Sequence, residues 1–250
     1  MIADPWFYAA AIPAMIILGL SKGGFTTMGL LAVPIMSLAI SPVQAAGITL
    51  PILVLSDVVA VYSYWRVYDA TTLRIVLPGA MIGIGIGWFT AAWVSEHEIR
   101  LIVGAISVLF AANYWLRHRL NQEPRGHSVA RGSFWATVSG FTSFVSHAGG
   151  PPFQMYAAPL RLPPRIFAGT TTILFAIVNT VKLVPYFALG QFDAANLTTS
   201  AVLLPVSVPA TLAGVWLVRR LETGTFYQYV YAVIFLVGVY LVWEGFSALP

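Results

Sequence analysis

The chain contains no cysteine, which excludes disulfide bonds and thiolate metal sites. Histidine is nearly as scarce: its four copies are scattered along the chain and show none of the spacings of metal ligands. The sequence also lacks a Walker loop, a GxSxG or HExxH motif and a matched pair of carboxylates. We therefore expect a protein that is not an enzyme, that carries no cofactor and that does not drive itself with ATP.

Charged residues are too few to cover a water-facing surface. They make up 9% of the 250 residues, and 58% are hydrophobic, whereas soluble domains carry about 25% charged residues. The lipid bilayer must therefore be the solvent for most of the chain. The net charge of +4 does not indicate nucleic acid, because the charges lie in short loops and no basic run alternates with aromatic residues.

Apolar stretches follow one another along the chain, five in each half. Three stretches in each half reach the roughly 20 residues that a helix needs to cross a bilayer. The first two of each half are shorter and meet at a glycine-rich break, Ser21-Lys22-Gly23-Gly24-Phe25 and then Ser146 to Pro152. Each short pair forms either a re-entrant hairpin, which we favour, or two tilted spans. The stretches are 6–20, 25–40, 44–63, 73–93, 99–117, 133–145, 151–160, 165–187, 197–218 and 226–246.

The two halves of the sequence resemble each other. Residues 42–49 match residues 164–171 at a constant offset, and at that offset Asp57 falls on Asn179. The further matches are Tyr64 with Tyr186 and, after a short insertion, Tyr68-Asp69 with Phe192-Asp193. Each half crosses the membrane an odd number of times, so the second half lies upside down relative to the first.

This pattern predicts an all-α polytopic membrane protein built from two inverted-topology repeats. Each repeat contains a broken, re-entrant pair of short helices and three transmembrane helices. The predicted boundaries are residues 1–118 for the first repeat, 119–131 for a basic linker and 132–250 for the second repeat.

The distribution of Lys and Arg predicts the orientation in the membrane. The linker is the longest polar stretch and is basic, so we expect it in the cytoplasm. This placement puts ten of the thirteen Lys and Arg on the cytoplasmic side and both termini in the periplasm. The ten are Arg66, Arg74, Arg117, Arg119, Arg125, Arg131, Arg161, Arg165, Arg219 and Arg220.

Lys22 lies at the first break, beside Gly23 and Gly24. A charge within the hydrocarbon is costly and usually marks function. Glycine allows close approach to the backbone, and the N-terminus of the helix that follows is suited to bind an anion. Gly149 and Gly150 open the matching helix from the opposite side, so the two breaks predict a shared pocket for a small anion near the midplane. The alternative is that the glycines only allow tight packing and that Lys22 reaches a membrane surface.

Asp57 and Lys182 are the other charges within apolar stretches, and each has two interpretations. Asp57 could bind and release a coupling proton, or it could form a structural ion pair with Lys182 that holds the halves together, which we slightly favour. His147 at the second break could titrate, or it could simply bond a neighbouring carbonyl. The candidate hydroxyl and amide ligands for an anion are Ser21, Ser146, Thr170, Thr171, Asn179, Gln44 and Gln154.

The first break belongs to a longer motif, Gly19-Leu-Ser-Lys-Gly-Gly-Phe25, and Gly140 to Pro152 is its counterpart. The residues that complete the pattern are Pro34, Ala46-Gly47, Asp57 and Ala168-Gly-Thr-Thr171. On these residues nearly the whole chain resembles the sulfite exporter TauE/SafE family of membrane permeases. The resemblance implies transport of a small sulfur-containing anion, such as sulfite, thiosulfate or an organosulfonate, across the inner membrane of a bacterium.

The leading hypothesis is a secondary transporter that works by alternating access, with the two halves rocking about the anion site. One alternative is a channel-like facilitator for another small anion or solute. Another is an intramembrane enzyme or assembly factor, which would need a bound metal or haem. Proton coupling, the direction of transport and a homo-oligomeric state stay open.

Overall fold

The fold was obtained as a computed structural model, which describes residues 2, 4–22, 28–91, 93–119, 125–218 and 224–247. These residues form ten α-helices and two short 3₁₀ helices, and they contain no β-strand. The α-helices are α1 (Pro5–Lys22), α2 (Ala32–Met36), α3 (Pro42–Tyr64), α4 (Ala70–Ala91), α5 (Glu96–Arg119), α6 (Val129–Ser146), α7 (Gly150–Ala157), α8 (Pro164–Ala188), α9 (Ala194–Val218) and α10 (Gly224–Ser247). The predicted all-α class is confirmed.

Six helices of the described part are long and apolar enough to cross a membrane. They lie within α1, α3, α4, α5, α8 and α9. The prediction of a polytopic membrane protein is therefore confirmed. Helix α1 was expected to be one of the short segments, but it extends over 18 residues and reaches the necessary length.

Helices of the first half pack mainly on helices of the second. Helix α1 packs on α9, α6 on α4 and α5 on α10, and α3 contacts both α8 and α9. Helix α8 also contacts α4. Exchanging the first five helices for the last five then maps these contacts onto one another, as a two-fold relation between the halves would do. The inverted repeat itself stays a prediction.

Matched positions of the two halves begin their helices in the same way. Helices α3 and α8 start at Pro42 and Pro164, where the fixed φ of proline suits the first turn. Helix α4 starts directly after Asp69, and helix α9 starts directly after Asp193. In both, Oδ1 accepts a hydrogen bond of 2.7 Å from the backbone N–H three residues later, which caps the helix.

The linker is shorter than predicted. Helix α5 continues to Arg119, and α6 begins at Val129, so helical residues occupy both ends of the expected range 119–131. The early start of α6 has a local cause, because the Oγ of Ser128 accepts a hydrogen bond from the N–H of Arg131 and caps the helix.

The short helices return the chain to the end of the bundle at which the preceding helix begins. Helices α2 and α7 contain five and eight residues, far fewer than the roughly 20 needed to cross a bilayer. Both ends of each hairpin lie together: Asp4 and Ala39 line one surface cavity, and the N–H of Arg125 donates to the carbonyl of Pro159 at 2.8 Å. This geometry favours the re-entrant alternative for both pairs.

The connections between helices collect at two ends of the bundle. At the inner end, named for its predicted cytoplasmic side, the linker contacts the segment after α7, and the N–H of Asp69 donates to Thr170 Oγ1 at 2.8 Å. At the opposite or outer end, residues from 41–44, 91–99 and 190–196 line a common cavity. The loops thus group as the predicted topology requires, while their orientation in a membrane stays a prediction.

Glycine brings the backbones of α4 and α6 into direct contact. A Cβ on Gly83 would lie 2.0 Å from the carbonyl oxygen of Thr137, and a Cβ on Gly140 would lie 2.1 Å from that of Ala80. No side chain fits at either distance, so these two helices form one closely packed unit.

We expect Gly83→Ala to destabilise the protein, because the added methyl must push α4 and α6 apart. Overpacking of this kind costs about 1–3 kcal/mol, and the melting temperature of the purified protein in detergent should fall by several degrees. Gly85→Ala is the matched control, because Gly85 lies on the same helix and its Cβ would meet nothing within 4 Å. The control should melt at the wild-type temperature or above it, and an equal loss in both variants would contradict the packing argument.

Candidate functional site

A cavity of about 60 Å³ lies among α1, α3, α6, α7 and α8. A cavity of roughly 10–15 Å³ holds a single water molecule, so this space suits a small anion or several waters. Six of the predicted ligands line this central cavity: Ser21, Lys22, His147, Gly150, Thr171 and Asn179. Residues from both breaks therefore share one cavity, which is the arrangement that the sequence predicts.

Other predicted ligands do not line the central cavity. Among the described residues, Ser146, Gly149 and Thr170 are buried nearby but lie outside its wall. Gly23 and Gly24, the glycines of the first break, lie outside the described residues.

Lys22 and Asp57 form a partly buried ion pair beside the cavity. Lys22 is the last residue of α1, and its Nζ lies 2.5 Å from Oδ1 of Asp57 on α3. The other carboxylate oxygen, Oδ2, accepts a hydrogen bond of 2.7 Å from Nδ2 of Asn179 on α8. Asp57 is only 3% exposed, so these two donors offset the large cost of removing its charge from water.

The predicted ion pair between Asp57 and Lys182 is not formed, because Lys182 turns toward α6 instead. Its Nζ lies 2.8 Å from the carbonyl oxygen of Ser143, 3.0 Å from the Oγ of Ser143 and 2.7 Å from Nδ1 of His147. Helix α6 ends here, and the negative end of its dipole favours a cation. Asp57 therefore takes the other lysine as its partner.

His147 ends α6 in a left-handed conformation, with φ at 55°, and so turns the chain toward α7. Its Nε2 lies 3.0 Å from the carbonyl oxygen of Ala46 on α3. A carbonyl can only accept, so Nε2 carries the proton, and Nδ1 is then free to accept a hydrogen bond from the ammonium of Lys182. The carbonyl contact expected in one interpretation is present, and the lysine contact comes in addition to it.

Hydroxyl groups at the cavity use their protons within their own helices. Ser21 donates to the carbonyl of Leu18 at 2.6 Å, and Thr171 donates to that of Phe167 at 2.8 Å. These side chains still offer oxygen lone pairs to the cavity, but their protons are already engaged. The amide of Gln44 is engaged as well, at the outer end, where it donates to Asn196 at 3.1 Å.

The N-terminus of α7 supplies donors that have no acceptor in the described part of the chain. Gly149 caps the helix without a side-chain hydrogen bond, and Pro151 and Pro152 have no N–H. The N–H groups of Gly149 and Gly150 form no hydrogen bond within the described residues. Gly150 lines the central cavity, so its N–H, at the positive end of α7, is available there to an anion.

Sequence reasoning missed Ser143, whose carbonyl and hydroxyl both contact Lys182. Its position one turn before His147 is the only signal, and Ser139 and Ser146 on the same helix look equally suitable in the sequence. The described residues contain no group of three His, Asp or Glu side chains that could hold a metal ion.

Comparison with known proteins agrees with this architecture. Residues 11–241 match the model of a family described as sulfite exporter TauE/SafE. A probable sulfite/organosulfonate exporter TauE from Cupriavidus necator is 26% identical over 188 residues, which cover 74% of this chain and 70% of that protein. No solved structure matches. Because the family model covers far more than half of the chain, the protein belongs to the sulfite exporter TauE/SafE family.

Proposed function

We propose that the protein is a secondary transporter that moves a small sulfur-containing anion across the membrane through the central cavity by alternating access. Membership of an exporter family supports transport. The substrate class, sulfite, thiosulfate or an organosulfonate, follows from the family description and from the printed name of the Cupriavidus relative. The residues of this chain supply a physical reason why the site suits an anion.

The observation that carries the proposal is the excess of basic over acidic groups at the cavity, which is a net positive charge when Lys182 is protonated. Lys22 and Lys182 are two basic groups, and Asp57 is the one carboxylate beside them in the described part of the site. Asp57 compensates Lys22, while the partners of Lys182 are neutral. An uncompensated buried charge is costly, so an anion in the cavity stabilises the cluster as the cluster stabilises the anion.

The barriers around the cavity support alternating access. A second cavity of about 240 Å³, here called the outer chamber, extends toward the outer end and is lined by Ala46, Phe144 and Tyr186 among others. His147 lines the central cavity, and its partner Ala46 lines the outer chamber. The barrier is held by the bond from His147 to the Ala46 carbonyl and by one of 2.5 Å from the Tyr186 hydroxyl to the Phe144 carbonyl. This barrier can open when two hydrogen bonds break, without the unfolding of any helix. A permanently open channel would not need such a barrier.

The inner end is held by more contacts. Asp69 caps α4, its N–H donates to Thr170, and its carboxylate lies 3.7 Å from Nε2 of His127 in the linker. Partial burial raises the pKa of Asp69, but hydrogen bonds from Thr72 and the nearby His127 lower it more, so the net pKa lies below the ordinary value. Asp69 therefore stays ionised at neutral pH and keeps its contacts with Thr72 and His127.

We further propose that the protein lies in the inner membrane of a bacterium with both termini in the periplasm. The excess of Arg on the loops of the inner end supports this orientation. The boundaries of the two proposed repeats, 1–118 and 132–250, remain as the sequence predicts them.

Replacing Lys22 tests the anion site. In proteoliposomes, Lys22→Met should lower the flux of thiosulfate and sulfite at least tenfold, since charge-assisted contacts contribute about 1.5–3 kcal/mol. Arg74→Met is the control: it also removes one positive charge, from an exposed position at the inner end, and should transport at the wild-type rate.

Loss of Lys22 also removes the ion-pair partner of Asp57, which destabilises the fold. A second variant therefore distinguishes an effect on stability from an effect on transport. The double variant Lys22→Met with Asp57→Asn removes both charges and should melt near the wild-type temperature while transport stays low. Wild-type flux in either variant would refute the proposed role of Lys22.

Labelling of single cysteines tests the orientation. Because the chain has no cysteine, each introduced thiol is unique. Ala39→Cys, exposed at the outer end, should react with a membrane-impermeant maleimide in intact cells. Gly126→Cys, exposed in the linker, should react only after permeabilisation. The reverse pattern would show that the termini are cytoplasmic.

A further inference from the structure

Lys182 is a buried basic group whose partners are all neutral. Its side chain is fully buried on α8, and its Nζ contacts the carbonyl and hydroxyl oxygens of Ser143 and Nδ1 of His147. The carboxylate of Asp57 is already bonded through both oxygens, to Lys22 and Asn179. When Lys182 is protonated, the cluster therefore carries one positive charge more than it has negative charges.

The contacts of Lys182 suit both of its protonation states. As an ammonium it donates three hydrogen bonds, one to each of its contacts. As a neutral amine it donates two and accepts one, and the Ser143 hydroxyl can supply that proton because a hydroxyl both donates and accepts. Lysine, unlike arginine, readily changes its charge when it is buried. Proton loss thus leaves no polar atom of this group without a partner.

Lys182 stands directly behind the cavity wall. It does not line the central cavity, but both residues that it contacts, Ser143 and His147, do. An anion in the cavity is therefore separated from Nζ by one layer of side chains, in surroundings of low dielectric where charges interact strongly.

The other groups that face this cluster have fixed roles. Lys22 on α1 and Asp57 on α3 pair with each other, and the Tyr186 hydroxyl on α8 donates to the Phe144 carbonyl. His147 on α6 donates from Nε2 to the Ala46 carbonyl. A change of protonation at any of these groups breaks an ion pair or a buried hydrogen bond, whereas Lys182 loses neither.

We infer that Lys182 is a proton-binding site, and that the transporter takes up one proton there together with each singly charged anion. The proton adds to the lone pair of Nζ, and no other covalent bond changes. This inference rests on the proposed function.

Charge balance supports the coupling. The empty site, with Lys22 and Asp57 charged and Lys182 neutral, has no net charge. The loaded site, with one proton on Lys182 and one anion in the cavity, has none either. Both states that must reorient across the bilayer are then electrically neutral, which avoids the cost of carrying a net charge through the hydrocarbon.

The pH dependence of anion binding tests the inference. Binding of methanesulfonate and of thiosulfate to the purified protein is measured by calorimetry between about pH 5 and 9, where neither anion takes up a proton while buried basic groups can. The pH dependence is read from methanesulfonate, which carries one negative charge; thiosulfate carries two and tests only whether the site binds an anion. Binding of the proton and binding of the anion strengthen each other. Wild-type affinity for the anion should therefore fall as pH rises, and the loss should approach tenfold per pH unit once Lys182 is neutral in the empty protein.

Two variants isolate Lys182. Lys182→Arg keeps the positive charge at all these pH values and should bind the anion with an affinity that does not change with pH. Lys182→Met should bind more weakly, again without pH dependence, and covers the case in which arginine does not fit. Arg74→Met, which changes a surface charge, should keep the wild-type dependence.

The outcomes separate the inference from the proposed function. Binding by the wild type with a constant affinity across the range, or the same pH dependence in the wild type and both Lys182 variants, would overturn the proton site while leaving the anion site intact. Binding of neither anion would contradict the proposed function, and the inference with it.

Discussion

The architecture depends on how a few charges are accommodated inside a bundle that is otherwise apolar. Asp57 on α3 is held from two directions, by Lys22 at the end of α1 and by Asn179 on α8. A buried carboxylate is tolerated only with such partners. Lys22, the last residue of α1, is one of these partners. Asn179, from the other half of the chain, is the second. The two contacts of Asp57 therefore join the halves of the chain and hold the end of α1 in place. They also leave the second lysine, Lys182, without an acidic partner.

Much of this fold could be predicted because membrane helices obey simple rules of length and polarity. Apolar stretches of sufficient length marked five of the six helices that can cross a bilayer in the described residues, all but α1, and the glycine-rich breaks marked the two short helices α2 and α7. The internal match between halves identified equivalent helix starts at Pro42 and Pro164, and equivalent caps at Asp69 and Asp193. These features depend on local sequence, so the sequence reports them directly.

The partners of the buried charges could not be predicted in the same way. Sequence reasoning paired Asp57 with Lys182, yet the choice between two lysines depends on which side chain meets a carbonyl at the end of α6. Ser21 and Thr171 were candidate donors to the substrate, but carbonyls of their own helices accept their protons. Such choices are made among atoms a few ångströms apart, and residue spacing carries no information at that scale.

The glycine contacts between α4 and α6 have a consequence for movement. Helix α6 belongs to the second half of the sequence, but its backbone touches that of α4 from the first. Helices α1 and α9 also meet closely, since an added Cβ on Gly19 or Gly214 would lie 2.5 Å from a backbone oxygen. Two halves that rocked apart along the boundary of the proposed repeats would have to separate surfaces with no side chain between them. For the proposed alternating access, the rigid body that moves must therefore combine helices from both halves of the chain, so the proposed repeat is not itself the moving unit.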